Sequence, residues 1–146
     1  MTRGLVAADF AQVTLETAKT AGERFYAQYG ITGVRGQAEA GFPAVRDVGL
    51  PILTQGLAQG LSLNDAGCAA LLHLLSATDD TNLISRSDRQ TQLQIRQQIT
   101  ELLQEDPFPS LETLQDLDRQ FIQKNLSPGG SADLLALTYL VYFLTI

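Results

Sequence analysis

The stretch that decides the fold is found late in the chain, where residues 124–135 read KNLSPGGSADLL. The Pro-Gly-Gly sequence ends one helical pattern, and an apolar run begins shortly after it. A glycine-rich turn that leads into a helix presents free backbone N–H groups and the positive end of the helix dipole. Together these can hold a phosphate. The alternative is an ordinary tight turn in which Ser127 or Ser131 caps a buried helix.

A second glycine-rich stretch lies earlier, where residues 29–43 read YGITGVRGQAEAGFP. Four glycines in so short a segment are costly to order, because glycine loses the most backbone freedom on folding. They favour positive φ angles or close approach to a bound group. Arg35 lies between two of these glycines, where its guanidinium group would be accessible to a carboxylate or a phosphate. A surface loop with a solvated arginine is the alternative.

The remaining chain shows helical periodicity and no alternating pattern long enough for a strand. The spacing predicts a first helix over about residues 5–28, which Gly30 ends as a C-terminal cap. Pro43 would open the next helix, and Gly49 with Pro51 would kink or split it. Asn64 or Asp65 would cap the following helix, while Asp79 and Asp80 would end it. Ser110 would cap a later one. We therefore predict an all-α fold, a compact single-domain bundle of about six or seven helices over residues 1–146.

Composition narrows the range of partners. The 146 residues carry a net charge of −6, which argues against broad nucleic-acid binding. Cys68 is the only cysteine, so no intrachain disulfide forms, and packing is its expected role. Residues 1–10 lack the apolar run of a secretory signal, and the apolar residues 134–146 are too few to span a bilayer. We expect a cytoplasmic protein that binds no membrane.

These motifs resemble those of the triphosphoribosyl-dephospho-coenzyme A synthases, which make the prosthetic-group precursor of citrate lyase and, in close relatives, of malonate decarboxylase. The resemblance runs from about residue 21 to residue 144. It rests on Tyr29-Gly30, Gly33 through Gly36, Glu39, Gly41 through Pro43, Asp80-Thr81-Asn82, Arg86 and Asn125 through Leu135. The chain departs from the family pattern at Gln37, Ser87 and Asp88.

The resemblance implies a pentosyltransferase. Such an enzyme moves the 5-triphosphoribosyl group of ATP onto the 2′-hydroxyl of 3′-dephospho-CoA and releases adenine. Family members are longer, and this chain resembles their C-terminal half, so we expect it to be incomplete alone. The missing N-terminal half, or a second copy forming a homodimer, would then be a partner on a large apolar surface. The alternative is a non-catalytic helical interaction or dimerisation module derived from the family.

The resemblance also implies roles for individual residues. A carboxylate near the reacting carbon and a general base are needed, and Glu39 and Asp80 are the catalytic candidates. Mg²⁺ would enter with ATP, with Asp80 and Asp133 as its ligands. The expected substrate and phosphate contacts are Gly33, Arg35, Gly36, Asn82, Arg86, Ser127, Gly129, Gly130, Ser131 and Asp133.

Structural roles are the alternatives at several of these positions. Glu39 lies four residues after Arg35, so the two side chains could form an ion pair on one helix face. Asp80 could simply cap a helix. His73 lies among leucines, which favours packing over catalysis. We further expect Arg35 and residues 127–133 to converge on one phosphate pocket.

Overall fold

The computed structural model describes residues 4–146, and all regular secondary structure in that range is helical. This confirms the all-α fold class. The described range holds nine α-helices and one π-helical turn, more than the six or seven predicted, because the longest predicted helix is broken and short helices separate the others. The helices are α1 (Leu5–Phe10), α2 (Ala21–Tyr29), α3 (Gly33–Glu39), α4 (Leu50–Ala58), α5 (Leu63–Ala77), α6 (Thr81–Arg86), α7 (Arg89–Glu105), α8 (Leu111–Gln123) and α9 (Gly129–Thr145).

The helices group into two compact units, Met1–Pro43 and Ala44–Ile146. In the first unit the helix predicted over residues 5–28 is interrupted after Phe10. Thr14 and Thr17 bond each other there, with the Thr14 N–H donating to Thr17 Oγ1 at 2.9 Å. Threonine side chains compete in this way with helical backbone bonds. The helix resumes after Thr20, which forms a capping box with Glu23.

Aromatic packing holds the first unit together. Phe10 is buried, and its ring stacks on Tyr26 with centroids 4.5 Å apart. This contact fixes α1 against α2. Gly30 ends α2 in the left-handed conformation at φ 69°, as the sequence predicted.

The second unit begins with a helical turn that continues into a π-helical turn over Val45–Gly49. The interruption predicted at Gly49 and Pro51 takes this form, because Pro51 has no N–H to donate in the first turn of α4. Gly49 also lies against α9, where a β-carbon would approach Thr138 Oγ1 to 2.4 Å.

Helix α5 lies at the centre of the second unit and contributes to two apolar clusters. One combines Leu72 and Leu75 with residues of α6, α7 and α8, and the other packs Ala66 and Ala70 against α4 and α9. The helix begins at Leu63 with Ser62 as its cap, so the predicted caps at residues 64 and 65 were two or three positions late.

The two caps that follow are local hydrogen bonds. Asp88 caps α7 by accepting from the Thr91 N–H, and Ser110 caps α8 as predicted, accepting from the Thr113 N–H. Over residues 4–146, no helix combines the length and apolar character needed to cross a membrane.

Candidate functional site

Asp80 joins the starts of two helices in the second unit. It is the N-cap of α6, where Oδ1 accepts the Asn82 N–H at 3.1 Å and the Leu83 N–H at 3.0 Å. An aspartate before a helix is favoured at this position because it satisfies amides that lack partners. The Asp80 side chain is only 1% exposed.

The same carboxylate caps α9. Asp80 Oδ1 accepts the Gly130 N–H at 3.2 Å, and Oδ2 accepts the Ser131 N–H at 2.7 Å and the Ser131 Oγ–H at 2.8 Å. Pro128 precedes the helix and makes no side-chain capping bond. The amides that the sequence suggested for a phosphate therefore already bind an anion, the carboxylate of Asp80. We call this arrangement the Asp80 junction.

Three further predicted residues gather beside the Asp80 junction. A β-carbon on Gly129 would lie 2.1 Å from Asn82 Nδ2, so a side chain at this position would displace the Asn82 amide. Arg86 Nη1 lies 3.5 Å from Asn125 Oδ1, a weak contact. Asn82, Arg86 and Asn125 are exposed, and Arg86 forms no ion pair with any residue in the described range. We call this set, together with Gly129, the α6–α9 surface.

Ser127 and Asp133 lie outside the Asp80 junction. Ser127 is partly exposed and lines an apolar pocket, whereas Asp133 is exposed on α9. Within residues 4–146, no group of three or more His, Cys, Asp or Glu side chains is arranged to hold a metal. Asp80 could ligate Mg²⁺ only by giving up hydrogen bonds, so these residues do not fit a metal site built from protein groups alone. The Mg²⁺ contacts of Asp80 and Asp133 stay predictions.

The predicted residues of the first unit have structural partners. Arg35 pairs with Asp9, and its guanidinium carbon lies 4.9 Å from the centroid of the Phe10 ring. Glu39 Oε1 accepts the Val6 N–H at 3.1 Å, which satisfies an amide in the first turn of α1. The predicted Arg35–Glu39 pair is thus replaced by two contacts to α1.

The two predicted glycines of this unit have different constraints. Gly33 has φ 57°, in the left-handed region. A β-carbon on Gly36 would lie 1.9 Å from Thr32 Oγ1, so this turn tolerates no side chain without rearrangement. The roles of Arg35, Glu39 and both glycines in substrate binding, and their convergence with residues 127–133, stay predictions.

His73 and Cys68 have the packing roles expected of them. His73 Nε2 lies 3.0 Å from the carbonyl oxygen of Pro107, which ties α5 to the loop before α8. Burial raises the pKa of the Cys68 thiol, which disfavours a reactive thiolate.

An ionic network at the end of α5 was not predicted from the sequence. Asp79 Oδ1 accepts from Arg89 Nη1 at 2.5 Å and from Arg96 Nη1 at 2.9 Å. Arg96 Nε also donates to the Ser76 carbonyl oxygen at 3.1 Å, and Gln92 Nε2 donates to that of Thr78 at 3.2 Å. Side chains of α7 thereby cap the C-terminus of α5. The sequence feature that could have predicted this network is the spacing of positions 89, 92 and 96, which puts them on one helix face.

An apolar pocket of about 290 Å³ between α5, α8 and residues 126–128 was likewise not predicted from the sequence. Its lining is apolar apart from Cys68, Asp118 and Ser127. Leucines of the central cluster form part of this lining, so the pocket is continuous with the core.

The sequence of the chain matches a known family along almost its whole length. The family model described as ATP:dephospho-CoA triphosphoribosyl transferase matches residues 1–145. The chain belongs to this family. The Asp80 junction connects two of the motifs on which the resemblance rests, Asp80-Thr81-Asn82 and residues 125–135.

Individual relatives agree with this family. A protein from Escherichia fergusonii named 2-(5''-triphosphoribosyl)-3'-dephosphocoenzyme-A synthase is 41% identical over 95% of this chain and 47% of its own length. The similarly named protein of Pectobacterium atrosepticum is 42% identical over 92% of this chain and 45% of its own length. A probable synthase of this name from Citrobacter koseri is 47% identical over 82% of this chain and 41% of its own length.

The chain thus spans about half the length of the curated relatives it matches. The matches cover nearly all of the chain and name no second chain, so they give no support to a separate N-terminal half as its partner. No solved structure matches the chain.

Proposed function

We propose that this chain takes part in transferring the 5-triphosphoribosyl group of ATP to the 2′-hydroxyl of 3′-dephospho-CoA. The bond from the ribose C1 to adenine breaks, a bond from C1 to the acceptor oxygen forms, and the hydroxyl proton leaves with a base. The observation that carries the proposal is the family match over residues 1–145, together with the names of the relatives. The product would serve as the prosthetic-group precursor for citrate lyase or malonate decarboxylase in the cytoplasm.

The α6–α9 surface supports this proposal with a place for the triphosphate. Arg86 is an exposed cation without an ionic partner in the described range, and the amide groups of Asn82 and Asn125 lie beside it. A planar guanidinium group binds phosphate through two parallel hydrogen bonds. ATP would bring its own Mg²⁺, which needs only one or two protein carboxylates in addition to the phosphate oxygens.

Of the two catalytic candidates, Glu39 has the carboxylate with fewer structural hydrogen bonds. One of its oxygens accepts the Val6 N–H, and its other oxygen accepts no hydrogen bond from a described residue. Asp80 accepts five hydrogen bonds from the starts of α6 and α9, so both of its oxygens already have structural donors. We therefore propose that Asp80 positions the two motifs and that Glu39 acts at the reacting atoms.

Calorimetric titration with ATP, Mg²⁺ and dephospho-CoA tests the proposal. We expect Arg86→Ala to weaken binding of ATP with Mg²⁺ by about 1–3 kcal/mol, the value of a charge-assisted hydrogen bond. The control is Arg119→Ala on α8, an exposed arginine already paired with Asp116, which should bind normally. The proposed function would be contradicted if neither substrate bound the chain. It would also be contradicted if both variants lost the same affinity for ATP with Mg²⁺.

A second proposed function, an interaction module, is favoured by the last turns of α9. Leu140, Phe143 and Leu144 expose 54%, 53% and 75% of their surface, which is unusual for large apolar side chains so close together. A second copy of the chain could cover them. Sedimentation velocity of Leu144→Glu would then show less self-association than the native chain. Leu111→Glu, at another exposed leucine, on α8, is the control.

A further inference from the structure

The apolar pocket beside α8 has the chemistry of a site for an uncharged ring system. We propose that it binds the adenine base of a substrate nucleotide, an inference that rests on the proposed function and assigns a location to part of its substrate. ATP and dephospho-CoA both carry this base, so either can supply it.

The apolar lining favours a flat ring. Leu72, Leu75 and Leu117 are buried core residues, while Leu114 and Phe121 are partly buried at the same pocket. Ligand pockets are commonly lined in this way, with a few polar groups that fix orientation. The volume of about 290 Å³ lies just below the usual range for ligand pockets, which suits a base rather than a whole nucleotide.

The polar groups of the lining fit the edge of adenine. The side chains of Asp118 and Ser127 make no hydrogen bond with any residue of the range 4–146, so both are available to a ligand. A carboxylate accepts from the exocyclic amine of adenine, and a hydroxyl donates to a ring nitrogen. The lining contains no cation, so the negative charge of Asp118 would repel a triphosphate.

The same two groups make a poor site for the pantetheine arm of dephospho-CoA. That arm carries two amides and a hydroxyl along its length, and the pocket would leave most of them without partners. Unpaired polar groups in an apolar pocket weaken binding. Compared with the pantetheine arm, adenine buries more apolar ring surface for each polar group that needs a hydrogen-bond partner.

The position of the pocket connects it to the α6–α9 surface. Residues 126–128 line the pocket, and Asn125 and Gly129 of the α6–α9 surface flank them directly in sequence. A base in the pocket could therefore direct its ribose and phosphates along this segment toward Arg86. The arrangement separates the apolar and anionic ends of one nucleotide.

Cys68 provides the test, because it is the only cysteine of the chain and lines the pocket. Burial raises its pKa, so alkylation by iodoacetamide is followed at a mildly alkaline pH by mass spectrometry. We expect adenosine at ten times its dissociation constant to slow alkylation about tenfold, as simple occupancy requires. Pantetheine and inorganic triphosphate should leave the rate unchanged.

Asp118→Asn should raise the half-protecting concentration of adenosine about tenfold, as the loss of a charged hydrogen bond predicts. The matched control is Asp116→Asn on the same helix, whose carboxylate pairs with Arg119 and does not line the pocket. Protection by pantetheine alone would assign the pocket to the other arm of the substrate, and no protection by adenosine would overturn the inference.

Calorimetry on the same samples separates the two proposals. If ATP with Mg²⁺ binds while adenosine leaves Cys68 unprotected, the proposed function stands and the pocket assignment fails. If neither ligand binds or protects, both fail.

Discussion

At the scale of the residue, Asp80 is the most extensively hydrogen-bonded carboxylate among the described residues. Five donors from two helix starts converge on it, and the side chain is almost completely buried. Asp80→Asn keeps the shape but turns one acceptor into a donor that faces the Ser131 amide or hydroxyl. It also removes the charge that both helix dipoles favour.

We therefore expect Asp80→Asn to lower the free energy of unfolding by about 2–4 kcal/mol, since hydrogen bonds to a buried charge are costly to lose. Urea unfolding followed by circular dichroism measures this. Asp116→Asn, at an exposed ion pair, should change stability by less than about 1 kcal/mol. A similar small change in Asp80→Asn would show that the junction contributes little to stability.

Substitution by alanine should change stability in opposite directions at two glycines that lie inside helices. A β-carbon on Gly67 would lie 1.6 Å from the hydroxyl oxygen of Tyr139, which donates to the Leu63 carbonyl oxygen. Gly67→Ala should destabilise the chain by about 1–3 kcal/mol through overpacking. Gly22→Ala meets no atom within 4 Å and should stabilise α2 by up to about 1 kcal/mol. Thermal unfolding tests this prediction, and melting temperatures that changed in the same direction in both variants would contradict it.

At the scale of the element, the capping box of α2 makes its stability depend on pH. Hydrogen bonds from the Lys19 and Thr20 amides lower the pKa of Glu23 below its ordinary 4.5. A carboxyl group whose pKa is lowered by folding stabilises the fold above its ordinary pKa, and this contribution is lost as pH falls below that value. The box should therefore hold near neutral pH and weaken in acid.

The measurement compares the native chain with Glu23→Gln by circular dichroism from about pH 7 to about pH 3. We expect the native chain to keep more helix at neutral pH and the difference to shrink below pH 4.5, the ordinary glutamate value. A difference that stays constant across this range would show that the charge of Glu23 does not support the cap.

Elements whose signals are local were predictable from the sequence. Ser110 caps α8 through its own third neighbour, and Gly30 ends α2 by adopting a positive φ. Both effects depend on a few adjacent residues. The prediction of one long first helix was wrong because Thr14 and Thr17 bond each other. Apolar spacing does not reveal this competition with the helical backbone bonds.

The candidate site was predictable only in part. Asp80 and residues 125–135 were both among the family motifs, and Asp80 and Asp133 were predicted to bind Mg²⁺, but no bond between Asp80 and the start of α9 was predicted. A free helix N-terminus and one capped by a distant carboxylate have the same local sequence, since the cap lies 51 positions away. The apolar pocket likewise depends on how α5 and α8 pack, which periodicity alone does not determine.

At the scale of the whole molecule, the second unit contains the two apolar clusters described above. The cluster around Leu72 and Leu75 and the cluster around Leu53 and Ala66 lie entirely within residues 44–146. A segment of this length buries enough surface to fold independently.

We expect a fragment of residues 44–146 to show a single cooperative thermal transition and helical circular dichroism. Its control is the same fragment with Leu53→Asp, which places a charge at a fully buried position and should abolish the transition. A broad, non-cooperative transition in the unsubstituted fragment would show that the second unit does not fold independently.

The Asp80 junction also has a consequence for the order in which the molecule folds. The Asp80–Ser131 contact closes a segment of 51 positions, at an entropic cost of about 3–4 kcal/mol. Contacts between such distant positions tend to form after the local helices. Asp80→Asn should therefore speed unfolding in stopped-flow experiments and leave the folding rate nearly unchanged. The two motifs would then be brought together late, so the surface they share exists only in a nearly complete fold.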